Sequence, residues 1–151
     1  MSKDENLELA FSVAEKYCIE PRRDGTPAMG HIYRVVDILE KMGYGWNPKI
    51  LTIGALHDIV EDCHDIDPND NSANDDLQQF SYYVVKGVLS LTHPPKEEYC
   101  EYIKRIIADR HTGAVIVKIA DMIDNVTGNP SQASNARYKK SLPILMKMWE
   151  K

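Results

Sequence analysis

Ile32, Val35, Val36, Leu39 and Met42 recur at steps of 3, 1, 3 and 3 residues, and the run stops at Gly43. That is the period of one apolar helical face closed by a glycine C-cap. Convincing two-residue alternation is found nowhere in the 151 residues, so a sheet has no sequence support. Leu7, Ala10, Phe11 and Ala14 place an earlier amphipathic helix before Cys18. Asn47-Pro48 reads as an N-cap followed by a first-turn proline, starting a third helix that runs through about Asp62. Further helices are expected over Asp75–Leu91, Lys96–Asp109, Ala114–Val126 and Asn135–Trp149. In the sixth, the β-prone run Val115-Ile116-Val117 works against the assignment. The sequence shows no internal repeat and no second-domain linker. The expected fold class is all-α: a single helical bundle of about six to seven helices spanning residues 1–151.

Composition narrows what such a bundle can do. Apolar residues make up 43% and charged residues 27% of the chain, as in a globular protein. No apolar run reaches the about 18 residues that a membrane span needs, and MSKDENLELA has no signal-peptide core. Cys18, Cys63 and Cys100 are odd in number and unpaired in spacing, which fits free thiols in a reducing cytoplasm. With 18 basic and 23 acidic residues the net charge is −5, which argues against binding a nucleic-acid polymer. A small anionic substrate remains compatible, because a bound cation and a few local bases can reverse the field inside a cleft.

The polar residues placed within these helices carry the chemistry. Ile53, Leu56 and Val60 give the third helix an apolar face, yet His57, Asp58, Glu61 and Asp62 fall within one and a half turns of it. As two i,i+4 pairs on one continuous helix, they load a near-core segment with groups that need compensation. A divalent metal supplies it. His31 and Asp121, from neighbouring helices, would complete an H…HD…D set of two imidazoles and two carboxylates. Such a mixed N/O set holds a divalent cation and leaves positions open for water and substrate. Residues 63–76 read as a solvated loop rich in Asp and Asn. Asp65, Asp67 and Asn69 have the alternate spacing of a calcium loop, but Asp70 stands where glycine is required and Asp76 replaces the closing Glu. His64-Asp65, a second HD pair, is assigned to that loop.

The element His57-Asp58-Ile59-Val60-Glu61-Asp62 resembles the HD-x-x-ED element of the HD-domain phosphohydrolases. Within them it looks most like the RelA/SpoT-type and small alarmone hydrolases. Val117-Lys118-Ile119-Ala120-Asp121-Met122-Ile123-Asp124-Asn125 is similar to their VKLAD-x-x-x-N element. Arg22-Arg23-Asp24-Gly25-Thr26-Pro27 is similar to the basic segment before their first metal histidine. The resemblance covers roughly residues 20–126. It implies a helical cytoplasmic enzyme that uses manganese to hydrolyse the 3′-pyrophosphate of guanosine tetraphosphate or a related nucleotide.

Carried over by position, the resemblance makes His31, His57, Asp58 and Asp121 the metal ligands. Glu61 orients the attacking water and manages its proton, and Asp62 supports that network. Arg22, Arg23, Asn125, Lys118 and Tyr138 become the candidate substrate contacts. For Lys118 a partly exposed, snorkelling side chain is the competing expectation, and for Tyr138 it is simple packing. The chain ends soon after Trp149, so a stand-alone hydrolase without a synthetase domain is expected.

Three positions depart from the family pattern. No tyrosine follows Pro27, no arginine follows Asn125 within two residues, and His93-Pro94-Pro95 stands where a basic side chain is usual. These departures keep two alternatives open: a nucleoside mono- or triphosphate or a phosphorylated dinucleotide as substrate, and a non-catalytic nucleotide-binding regulator. Periodicity leaves the oligomeric state open, because one apolar face can bury within a subunit or between two.

Overall fold

The structure is a computed structural model, and it describes residues 7–22, 25–127 and 132–149. The helices are α1 (Leu7–Tyr17), α2 (Ala28–Leu39), α3 (Pro48–Leu56), α4 (Ile59–Ile66), α5 (Ser72–Leu77), α6 (Tyr82–Leu91), α7 (Tyr99–Asp109), α8 (Thr112–Thr127) and α9 (Gln132–Trp149). There is no strand among the described residues, so the all-α expectation holds. No helix among them is long and apolar enough to cross a membrane.

Local chemistry sets several of the helix ends. The Asn47 side chain accepts from the Ile50 N–H at 3.3 Å, and Pro48 occupies the first turn, where its missing N–H costs nothing. After Leu39, α2 runs on through a wider, π-type turn over Glu40–Tyr44. It stops at Gly43, whose φ of 102° lies in the left-handed region that favours glycine. The Ser81 hydroxyl caps α6 by accepting from the Val84 N–H.

Packing centres on two elements. α3 lies against α1, α2, α6 and α8, and α8 lies against α2, α3, α6, α7 and α9. Both are buried over almost their whole circumference, Ile50–Leu56 in α3 and Gly113–Met122 in α8. This explains why Val115-Ile116-Val117 is helical despite its β propensity: tertiary burial on all sides overrides a weak local preference. The α2–α8 and α3–α8 contacts bring His31, His57 and Asp121 to one place.

Three expected boundaries are corrected. The helix beginning at Pro48 does not run to Asp62; it ends at Leu56, and His57-Asp58 form the junction to α4. Residues 63–76 are not one loop, because α4 continues to Ile66 and α5 covers Ser72–Leu77. His64 is therefore helical, and the connection holds an Asx turn in which Asp67 accepts from the Asn69 N–H. The helix expected over Asp75–Leu91 is divided between α5 and α6.

α6 crosses α3 closely enough that a side chain at Gly87 has no room. A Cβ there would lie 2.7 Å from Ile53 Cδ1 and 2.9 Å from His111 Cε1. Gly87→Ala gains about 0.5–1 kcal/mol of helix propensity but overpacks a fully buried contact at about 1–3 kcal/mol. A net loss of stability is expected, with thermal melting lowered by a few degrees. An unchanged or raised melting point would show that the α3–α6 contact is soft.

Candidate metal centre

Each of the four expected ligands comes from a different structural position. His31 sits in the first turn of α2, His57 ends α3, Asp58 starts α4, and Asp121 lies in the middle of α8. Candidate ligand atoms of His31, His57 and Asp58 all lie within 4.8 Å of one another. Asp121 Oδ1 is 2.8 Å from His31 Nε2 and 3.3 Å from His57 Nε2. Asp58 approaches the same two nitrogens at 3.7 and 3.4 Å. His31, His57 and Asp121 are buried and Asp58 is half-buried.

The break between α3 and α4 has a role in this geometry. Gly54 C=O is one of the last four carbonyls of α3, which lack intrahelical partners once the helix ends. The His57 ring meets that need: its Nδ1–H donates to the Gly54 carbonyl at 2.6 Å. His31 has the equivalent arrangement with a side chain, its Nδ1–H donating to Asp124 Oδ2 at 2.7 Å. With both Nδ1 atoms committed to these acceptors, both Nε2 atoms face Asp121 and Asp58.

Nitrogen lone pairs and carboxylate oxygens at such distances repel unless a proton or a cation lies between them. In the metal-free chain a proton does this for His57. Burial disfavours its charged form, but Asp58 and the hydrogen bond with Asp121 outweigh burial and push its pKa up to about 10. A divalent cation satisfies the same lone pairs without borrowed protons, so the donor set fits one.

The neighbouring acids have the opposite problem. Burial, reinforced by the Asp58 charge, raises the Glu61 carboxyl from 4.5 to about 8 and the Asp62 carboxyl from 3.8 to about 6. One oxygen of Glu61 is fixed by the His93 backbone N–H at 2.6 Å. The buried Cys18 thiol donates to Asp62 and favours its ionised form.

The candidate substrate contacts divide. Lys118 is buried and not snorkelling, which corrects the expectation of partial exposure. Its ammonium donates to Asp121 Oδ2 at 2.9 Å and lies 5.0 Å over the Tyr102 ring and 6.0 Å over the Tyr99 ring. Burial opposes its charge, yet Asp121 holds its pKa well above the ordinary value. Burial likewise opposes the Asp121 charge, and Lys118 outweighs it, keeping that carboxyl well below the ordinary range.

Arg22 donates to Asn125 Oδ1 and lies 3.6 Å from Asp124. Asn125 in turn reaches Asp121 Oδ1 at 3.5 Å, so it supports the ligand from the next turn of α8. Tyr138 packs edge-on against Tyr99, with ring centroids 6.2 Å apart, and Tyr99 in turn lies beneath the Lys118 ammonium. Arg23 lies outside the described residues.

Sequence reasoning passed over Asp124 and Arg34. Asp124 is buried and accepts from Arg34 Nε at 2.7 Å and from Nη2 at 3.3 Å. Burial raises its pKa, but the Arg34 and His31 hydrogen bonds outweigh this and leave it below the ordinary value. The available signal was spacing: Asp124 stands three residues after Asp121, and Arg34 three after His31, each pair on one helix face. Asp65, near the end of α4, and Asp67 and Asn69 in the connection after it were read as a solvated segment, and all three are exposed.

No protein-family profile matches the chain, and no curated protein matches it significantly.

The His57 and Glu61 shifts both bear on the alkaline stability of the metal-free protein. His57 has its folded pKa raised from 6.5 to about 10, so its stabilisation is complete below pH 6.5 and disappears as pH rises through 10. Glu61 is raised from 4.5 to about 8, so folding increasingly opposes its ionisation across that interval. Both slopes run the same way: metal-free protein loses stability into the alkaline range. Glu61→Gln is expected to raise the metal-free melting point relative to wild type at pH 9 and to leave it nearly unchanged at pH 4.5. Equal melting points at both pH values would contradict the strained environment assigned to Glu61.

Proposed function

We propose that this chain is a divalent-metal-dependent phosphohydrolase that cleaves a phosphoester or pyrophosphate bond of a nucleotide. The substrate implied by its motifs is the 3′-pyrophosphate of guanosine tetraphosphate or a related nucleotide, with manganese as the cation. The observation that carries the reading is the convergence of two imidazole Nε2 atoms on Asp121 and Asp58 while both Nδ1 atoms are committed elsewhere. A structural histidine pair in a bundle core has no need of two adjacent carboxylates.

His31, His57, Asp58 and Asp121 would hold the cation, which supplies Lewis acidity by acidifying a water and drawing charge from a phosphoryl oxygen. The protein's own contribution is positioning and proton handling. Glu61, fixed through one oxygen by the His93 N–H, takes the proton of the attacking water. Its raised pKa suits that task near neutrality. The part of the shift that comes from Asp58 is the part a bound cation offsets. Asp62, held by Cys18, orders the same water network. Lys118 covers the second oxygen of Asp121, so Oδ1 alone faces the histidines.

One observation favours the second substrate reading, a nucleoside mono- or triphosphate or a phosphorylated dinucleotide. Arg22 and Lys118 are already bonded to Asn125 and Asp121, which within that class suits a nucleoside monophosphate, with its smaller phosphate load near the cation.

The test is hydrolysis of a nucleotide panel by metal-stripped protein resupplied with Mn²⁺, with products separated by chromatography. Guanosine diphosphate plus pyrophosphate from guanosine tetraphosphate is the expected outcome. Preference for another nucleotide would replace the substrate, and silence across the panel with metal bound would overturn the catalytic reading. Asp121→Ala is expected to lose metal and nearly all turnover. Glu61→Gln is expected to keep metal and lose about 10²–10⁴-fold in rate. Metal loss in Glu61→Gln would make Glu61 a ligand instead.

A further inference from the structure

We propose that Asp124 is a positioning residue of the metal centre, fixing the tautomer and direction of His31 so that its Nε2 faces the cation. The inference rests on the metal reading above and goes beyond its ligand set. α2 presents His31 and Arg34 one turn apart, and α8 presents Asp121 and Asp124 one turn apart. The two pairs mate crosswise. His31 reaches Asp121 with Nε2 at 2.8 Å and Asp124 with Nδ1 at 2.7 Å. Arg34 closes on the far side of Asp124 with two hydrogen bonds, 2.7 and 3.3 Å long.

A carboxylate in this position does two things to an imidazole. As acceptor it holds the proton on Nδ1, leaving Nε2 as a lone pair, and its charge strengthens that lone pair as a donor. Arg34 keeps the carboxylate oriented and ionised within a buried setting, where an unpaired charge would be costly. The second histidine provides an internal contrast: His57 is oriented by the neutral Gly54 carbonyl. The two nitrogen ligands are therefore unequal, His31 being the stronger donor. Asp124 acts through His31 and touches neither cation nor substrate.

A purely structural Asp124, serving only to pair Arg34 and Arg22, would leave the His31 ring indifferent to its replacement. Two readouts separate the cases. Mn²⁺ titration followed by electron paramagnetic resonance should show Asp124→Asn binding about 10–100-fold more weakly than wild type. Nitrogen NMR of the ring, with Zn²⁺ as the diamagnetic probe, should show wild-type His31 protonated at Nδ1 with a strongly deshielded proton. In Asp124→Asn that resonance should move upfield while the His57 resonance stays in place.

Mn²⁺ affinity of Asp124→Asn within twofold of wild type would overturn the inference and leave the metal reading standing. So would a wild-type His31 protonated at Nε2, a result independent of whether any variant folds. Wild-type protein that binds no Mn²⁺ would overturn both.

Discussion

Five carboxylates and two imidazoles gather at the meeting point of α2, α3, α4 and α8, and most of them are buried. Asp58, Glu61, Asp62, Asp121 and Asp124 cannot all be ionised there without positive charge close by. Lys118 and Arg34 provide part of it, each bonded directly to one carboxylate. What they leave uncovered is the inner face, where two Nε2 atoms and Asp121 Oδ1 meet. The metal-free chain covers that face by holding a proton on His57 to about pH 10. The deficit of positive charge therefore centres on the group of His31, His57 and Asp58, which could hold a metal ion.

That local deficit also accounts for the route of the chain. A continuous helix from Pro48 to Ile66 would use the Gly54 carbonyl in its own ladder and carry His57 onto a fixed helical face. Ending α3 at Leu56 frees that carbonyl to orient the imidazole. From Ile59, α4 buries Ile59, Val60 and Cys63 while Glu61 and Asp62 remain half-buried. The junction residues, His57 and Asp58, are two of the four proposed ligands.

Much of this was legible in the sequence, and the failures share a cause. The apolar period placed α2 closely, with Ile32, Val35, Val36 and Leu39 all buried, because period and burial are the same fact seen twice. Asn47-Pro48 and Gly43 marked helix ends because their chemistry is local. The break at His57-Asp58 has no local signal: Leu56, His57, Asp58 and Ile59 are all compatible with a helix, and only the tertiary need of the His57 ring ends it. Lys118 was expected to reach toward solvent because lysine rarely stays buried without a partner; its partner Asp121 lies three residues on along α8, and the Tyr102 face comes from packing with α7. Asp124 was passed over for the same reason. Spacing puts it on the face of Asp121, but only the α2–α8 contact supplies His31 and Arg34.

The uneven burial of the centre gives it a direction. His31, His57, Asp121 and Asp124 are each no more than 6% exposed, whereas Asp58 retains 28% of its side-chain surface and Glu61 and Asp62 are half-buried beside it. The cluster therefore opens at the start of α4, beside Glu61 and Asp62. The buried side carries the hydrogen bonds that hold the ligands: Asp124 behind His31, Gly54 behind His57, and Lys118 behind Asp121. On the proposed function, the positioning groups lie inside and the two water-handling acids lie at the mouth. That separation would let Glu61 exchange protons with solvent without disturbing the bonds that aim the ligands.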